Sequence, residues 1–308
     1  MSTIIHVHQL TKSYGDVRAV QGIDLEVESG QIFAMLGPNG AGKSTTVEIL
    51  EGLRLRDGGD VSVLGIDPSR NANQLKSRIG VVLQQTAFPN KIRVREVIEL
   101  YGRLYDSNPN TKELLERFAL VEKANSFYSD LSGGQKQKLA LILAMINDPP
   151  IIFLDEPTTG VDAHSRRAIH DWLRQLRSEG RTVFLTTHYI HEAEQLADRI
   201  AIVARGKVVR EGTMEEIGKG LAVDSEIRVV ARRPLNRDAL SRLPGVRTVS
   251  GENGSATLEV QNPAQAVTAI VRYLDSENNE LVDIAVKRPT LEDVFLKVTG
   301  ERLTGEED

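Results

Sequence analysis

The residues of this chain best suited to chemistry are Gly37, Pro38, Asn39, Gly40, Ala41, Gly42, Lys43, Ser44 and Thr45. Their order fits G-x-x-x-x-G-K-[ST], the spacing of a phosphate-binding loop. Glycines let the backbone curl around a triphosphate so that successive N–H groups point inward as an anion nest. Lys43 would then reach the β- and γ-phosphates, and the Ser44 hydroxyl would hold Mg²⁺. The apolar run Gln31–Leu36 before the loop reads as a buried parallel strand, and Thr45–Leu50 reads as a helix whose positive end faces the phosphates.

Three further strands are expected to end at the same sheet edge, where open α/β sheets bind ligands. Ile79–Leu83 ends in Gln84 and Gln85, Ile151–Leu154 in Asp155 and Glu156, and Thr182–Thr186 in Thr187 and His188. Asp155 follows a fully apolar run, which puts its carboxylate near the loop as a second Mg²⁺ ligand. Glu156 points differently and suits the positioning and polarising of an attacking water. His188 would contact the γ-phosphate or a bridging water. Reading His188 and His191 as a zinc pair is set aside, because no Glu-x-x-His arrangement supports it. Leu131-Ser-Gly-Gly-Gln135 precedes the helix Lys136–Ile146. Ser132 is a plausible N-cap there, and the glycines leave the first N–H groups bare. That gives either an ordinary capped helix start or a second anion-binding helix end. The second reading implies a contact with another chain's nucleotide, because the chain's own is held elsewhere.

The elements that position these residues follow from periodicity. Residues 3–30 read as short antiparallel strands, with turns at Tyr14-Gly-Asp16 and Ser29-Gly30. From Lys91 to about Asn147 the spacing becomes helical. After that, strands alternate with helices, which indicates a parallel sheet covered on both faces. Past Leu221 the order is βαββαβ, ending in a helix over Leu291–Val298. This order fits a split βαβ, ferredoxin-like domain. The expected fold is therefore α/β: a P-loop NTPase core with an antiparallel β subdomain and a helical subdomain at about 86–147, spanning 1–221. A small α+β domain would span 222–308.

Composition narrows the function classes. A formal net charge of −5 argues against wholesale nucleic-acid binding. The absence of cysteine excludes disulfides, thiol catalysis and cysteine-ligated metals. Met1–His6 lacks the charged and apolar segments of a secretory signal. The longest strong apolar run, Leu139–Ile146, falls short of the roughly 20 residues a membrane span needs, so the chain is not expected to cross a bilayer unaided.

Over about residues 3–220 these motifs resemble the ATP-binding subunits of ABC transporters. Gly37–Thr45 is similar to Walker A, Leu131–Gln135 to the signature motif, Ile151–Glu156 to Walker B and His188 to the switch histidine. Gly160-Val-Asp162 resembles the D-loop, with Val161 where leucine is more usual. The resemblance implies that Tyr14 stacks on adenine and that Asp162 lines the nucleotide site. It also implies that Gln84 is the Q-loop residue on the metal, an assignment that can slip to Gln85. Two ATPase subunits, identical or not, would close head to tail on ATP and Mg²⁺. Ser132, Gly133, Gly134 and Gln135 of one would then face the nucleotide of the other. The helical lobe would dock on a separate polytopic permease at the cytoplasmic face of the membrane.

The tail Thr290–Gly300 resembles ATPases of ABC-2 exporters, of the daunorubicin-resistance-like and sodium-export-like kinds. Alternatives are an importer ATPase, which tends to carry an all-β C-terminal domain, or a stand-alone ABC ATPase acting on ribosomes or DNA. Neither the tandem ATPase units nor the long coiled coil of such stand-alone members is present in this sequence. A nucleotide-dependent scaffold without hydrolysis is opposed by Glu156 and His188.

Overall fold

The computed structural model describes residues 2–83, 88–218, 225–251, 253–287 and 290–300. Gln84 and Gln85 lie outside the described residues. The chain separates into two compact units, with the division after Met214. The sequence expectation drew that line later, at 221/222.

The first unit opens with β1 (Thr3–Tyr14) and β2 (Val17–Glu28), then β3 (Ile32–Leu36), α1 (Lys43–Leu50), β4 (Gly58–Val63), α2 (Ala72–Lys76) and β5 (Ile79–Val82). The helical lobe holds α3 (Val94–Leu104), α4 (Thr111–Arg117) and α5 (Gly133–Ala144), with two single 3₁₀ turns before α5. The chain continues through β6 (Ile151–Asp155), α6 (Ala163–Ser178), β7 (Thr182–Thr187), α7 (Ile190–Leu196), β8 (Arg199–Ala204) and β9 (Lys207–Gly212), and α8 (Met214–Gly218) begins at the division between the units.

β1 pairs antiparallel with both β2 and β4. β1 and β2 are each a single 12-residue strand rather than the short strands expected. Gln9 adopts φ 48° where the register between β1 and β2 slips. Its N–H and its amide nitrogen both donate to Asp24. Such a bulge interrupts the period-2 pattern without ending the strand.

The site rests on a six-stranded sheet in the order β5-β6-β7-β3-β8-β9, parallel except for β9. β3 and β7 are buried along their whole length and β6 along all but Asp155, as expected for strands covered on both faces. Phe153, Phe184 and Phe33 lie side by side in register across β6, β7 and β3, with ring centroids 5.6 and 5.3 Å apart. Each is fully buried and contributes about 1.5–3 kcal/mol by leaving water. This row aligns the tips of the three strands, so that Asp155 pairs with Thr186 and Leu36 with Thr187.

β9 was not expected from the sequence. It returns antiparallel to β8 through Arg205 and Gly206, both at positive φ, the backbone of a two-residue hairpin turn. Arginine at the first position carries no turn signal, and the edge strand is half exposed and charged.

The second unit contains β10 (Ser225–Ala231), α9 (Arg237–Ser241), β11 (Val246–Ser250), β12 (Ser255–Val260), α10 (Pro263–Ser276), β13 (Leu281–Lys287) and α11 (Leu291–Thr299). Its antiparallel sheet runs β11-β12-β10-β13. That is the split-βαβ topology the sequence pointed to. Ile227, Val229, Leu258, Ile270 and Leu274 form its core. The Asn262 side chain and Pro263 start α10, and a reciprocal Thr290–Asp293 capping box starts α11. Among the described residues, no helix is long and apolar enough to cross a membrane.

Candidate nucleotide-binding site

The loop after β3 is held open by backbone geometry. Gly37 N–H donates to Thr187 O at 3.2 Å, and Gly206 N–H to Ala41 O at 3.0 Å, so the loop is tied both to β7 and to the β8–β9 turn. Gly42 caps α1 at φ 100°, and a Cβ there would lie 2.4 Å from Ala19 O. No other residue fits that position. Asn39 and Gly40 form the exposed crown of the loop, while Ser44 and Thr45 are half-buried in the first turn of α1.

Lys43 is buried at the base of the loop. Its ammonium donates to Gly37 O at 2.8 Å and Pro38 O at 3.1 Å, and stands 3.5 Å from Glu156 Oε1. Burial pushes the ammonium below the usual lysine range, while Glu156 and then Asp155 pull the other way. The cation is thus held at the strand tips by carbonyls and carboxylates.

Ser44 Oγ donates to Asp155 Oδ1 at 3.3 Å, and the Thr186 hydroxyl donates to the same oxygen. A hydroxyl beside one carboxylate is an all-oxygen donor pair. It fits Mg²⁺, which takes one or two protein oxygens and completes its shell with phosphate and water. Among the described residues, no group of three His, Cys, Asp or Glu could hold a metal ion.

Glu156 adopts φ 49°, unusual for a residue with a side chain. Such conformations cost on the order of 1–3 kcal/mol and persist where the surroundings over-determine them. Here the Glu156 N–H donates to Thr186 Oγ1 at 3.1 Å and Thr186 O at 3.2 Å. The turn swings the carboxylate across the pocket. Oε1 lies 3.1 Å from His188 Nδ1, and Oε2 accepts from Thr159 Oγ1 at 3.3 Å. The His188–Glu156 contact is at ion-pair distance but lacks hydrogen-bond angles, and Nδ1 is buried with no hydrogen-bond partner. Thr186 holds the Asp155 carboxylate and the Glu156 backbone N–H, yet sequence reasoning missed it; the only signal is a hydroxyl pair closing the run Val183–Leu185.

The Ser132–Gln135 segment differs from expectation in one respect. Ser132 does cap a helix, with Gln135 N–H donating to Ser132 Oγ at 3.3 Å and Ser132 N–H to Gln135 Oε1 at 3.0 Å. The helix, however, starts at Gly133 rather than Lys136, and Gly134 is buried rather than bare. A Cβ on Gly134 would lie 2.4 Å from Ser165 Oγ, because the first turn of α6 packs directly against it. Ser132 and Gly133 are the exposed members of the segment. Asp162 caps α6 on that side. Its Oδ1 accepts Ser165 N–H at 2.9 Å, a hydrogen bond that lowers its acidity range. Among the described residues, no hydrogen bond or ion pair joins Ser132–Gln135 to Gly37–Thr45. Tyr14, at the end of β1, is partly exposed, with the Arg54 guanidinium 5.1 Å and the Lys12 ammonium 5.7 Å from its ring centre.

Comparison with known proteins agrees with this geometry. Residues 20–159 match the family model described as ABC transporter. Residues 212–299 match the one described as ATP-binding protein DrrA1-3-like, C-terminal domain. The chain is 39% identical over 307 residues to the daunorubicin resistance ATP-binding protein DrrA3 of Streptomyces coeruleorubidus, covering 97% of this chain and 96% of that one. It is 36% identical over 309 residues to the Nod factor export ATP-binding protein I of Rhizobium meliloti (strain 1021), covering 97% and 89%. Among solved structures, the ATP binding subunit of an ABC transporter superposes with a TM-score of 0.64 at 26% identity, over 70% of this chain and 91% of that one. A dimeric ATP-binding cassette in a post-hydrolysis state, bound to ADP and Pi, superposes with a TM-score of 0.62 at 29% identity, over 68% and 98%.

Proposed function

On the premise that this chain belongs to the ABC transporter family, as an ATP-binding and ATP-hydrolysing subunit, we propose that it powers an ABC-2-type exporter through a separate polytopic permease. The observation that carries the mechanism is the meeting of Lys43, Ser44, Asp155, Glu156 and His188 at one sheet edge. The Lys43 ammonium exchanges loop carbonyls for the β- and γ-phosphates. Ser44 and Asp155 hold Mg²⁺, which when bound neutralises phosphate charge. Glu156 orients and polarises the attacking water, and His188 steadies the γ-phosphate side of that water. Tyr14 supplies a ring face for adenine.

The exposed Ser132 and Gly133, which no contact ties to the chain's own loop, meet the nucleotide of a second ATPase subunit, identical or related. Asp162 lines the same seam. ATP thus closes the pair head to tail, and hydrolysis releases it.

The permease docks where the helical lobe meets β5. A groove of about 230 Å³ lies there, lined by Leu53, Leu83, Tyr101, Tyr105 and Leu143. Leu53 and Leu83 are half exposed, which suits an apolar partner surface. Through this contact the chain sits at the cytoplasmic face of the membrane. Relatives named for drug resistance and for Nod factor export support export over import, and over action on ribosomes or DNA.

The test is purification from detergent-solubilised membranes. The chain should co-purify with a polytopic membrane protein, and its ATPase rate should respond to the reconstituted partner. Co-sedimentation with ribosomes or DNA in place of membranes would contradict the proposal.

A further inference from the structure

Behind the pocket lies a buried polar cluster to which the reading above gives no role. Thr158 sits two residues past Glu156, and Glu192 four past His188 on α7. They are 1% and 3% exposed. The Thr158 hydroxyl donates to Glu192 Oε1 at 2.7 Å. His170 Nε2, from the buried face of α6, lies 3.2 Å from that same oxygen. Glu192 Oε2 is buried with no hydrogen-bond partner.

A carboxyl group with one bare oxygen is costly inside a protein. Packing alone does not call for it, since an apolar side chain of equal volume serves a core as well or better. What Glu192 does, and an apolar side chain would not, is join three elements through directional contacts. One is the strained turn carrying Glu156. Another is α6, which starts at Asp162 and abuts Gly134 of the capped helix. The last is α7, which starts just after His188. The contact between Glu156 and His188 lacks hydrogen-bond angles, and His188 Nδ1 has no hydrogen-bond partner.

We infer that Glu192 is a positioning residue for ATP hydrolysis: by gripping Thr158 and His170 it sets His188 against Glu156 and ties both to the start of α6. This rests on the hydrolytic roles proposed above for Glu156 and His188.

The test uses the purified full-length chain with Mg²⁺ and ATP. Glu192→Ala should lower kcat about tenfold or more while KM for ATP stays within about twofold. Glu192→Gln keeps an acceptor for the Thr158 hydroxyl and should recover most of that rate. Thr158→Val removes the donor at nearly constant volume and leaves Glu192 in place, so it should reproduce the kcat loss; it also takes a partner from a buried carboxyl and should lower Tm by a few degrees, and it carries the test if Glu192→Ala folds poorly. In a His188→Ala background, Glu192→Ala should slow turnover no further, because the geometry it maintains is already gone. Thr158→Val turning over at the parental rate would overturn the inference. So would a Glu192→Ala defect that multiplies in full with that of His188→Ala. A parent chain that hydrolyses no ATP would instead bring down the assignment of Glu156 and His188, and this inference with it.

Discussion

The strand-tip pocket and the start of α5, the two places proposed to face phosphate, are made differently. At the strand tips, Lys43 is buried and Glu156 half-buried, their charges oppose one another, and Glu156 holds a strained backbone. At α5, Ser132 and Gln135 satisfy each other in a reciprocal cap, and among the described residues no hydrogen bond or ion pair joins them to the phosphate loop. The pocket concentrates costly features whose use is chemistry. The helix start is self-sufficient, as a surface that meets its ligand only on assembly must be. On the function proposed above, one chain would carry the catalytic half of a site and the sealing half of another.

The largest effect that separates the two halves is expected at Glu156. Glu156→Gln should lower kcat by on the order of 100-fold or more, because water polarisation is lost while the phosphate loop is intact. The variant should still bind ATP and accumulate as a nucleotide-bound dimer in size exclusion. A variant hydrolysing at the parental rate would break the assignment. Lys43→Ala acts earlier, on binding: ATP affinity should fall roughly tenfold or more with the loss of a charge-assisted phosphate contact. Unchanged affinity by titration would count against the loop's role.

A smaller effect lies at the far end of α1. Glu51 is buried there with neither carboxylate oxygen hydrogen-bonded. Desolvation, then Asp155 and Glu48, push its carboxyl well above the usual range. A raised folded-state pKa means the native state keeps a proton that the unfolded chain releases, so this group's effect is to lower stability as pH rises above about 4.5. Glu51→Gln should flatten stability against pH between about pH 5 and 8 in thermal melts. An unchanged slope would show the carboxyl to be solvated. The smallest change is expected at the capped helix, where Ser132→Ala should cost about 1 kcal/mol of stability and leave ATP binding by the isolated subunit intact. Weakened binding in the isolated subunit would mean that Ser132 serves its own chain's nucleotide, contrary to the division drawn here.

The pocket was more legible in sequence than the structure around it. Gly37–Thr45 and the Asp155-Glu156 pair declare themselves because phosphate and metal chemistry demand particular residue types at short fixed spacing. Thr186 and the Thr158–Glu192–His170 cluster do not, because their partners are brought together only by the aligned parallel strands and the helices beside them. Gly134 shows the converse. Its place in a glycine pair suggested a bare anion-binding turn, whereas the pressure on it is the close approach of Ser165. Tyr14 and Asp162 entered through family resemblance alone, since neither an exposed strand-end tyrosine nor a helix-capping aspartate is unusual by itself. β9 was missed because an arginine begins its turn, whereas the turns at Tyr14-Gly-Asp16 and Ser29-Gly30 bound β1 and β2 as expected.

The shared site itself can be tested most directly by cross-linking, for which a chain without cysteine is well suited. One preparation would carry Ser132→Cys and another Asn39→Cys, both at exposed positions, in a Glu156→Gln background. Mixed under mild oxidation with Mg²⁺ and ATP, they should form a covalent dimer, and without nucleotide they should remain monomers. Failure to cross-link with ATP present, in protein that titration shows to be nucleotide-loaded, would contradict the head-to-tail site.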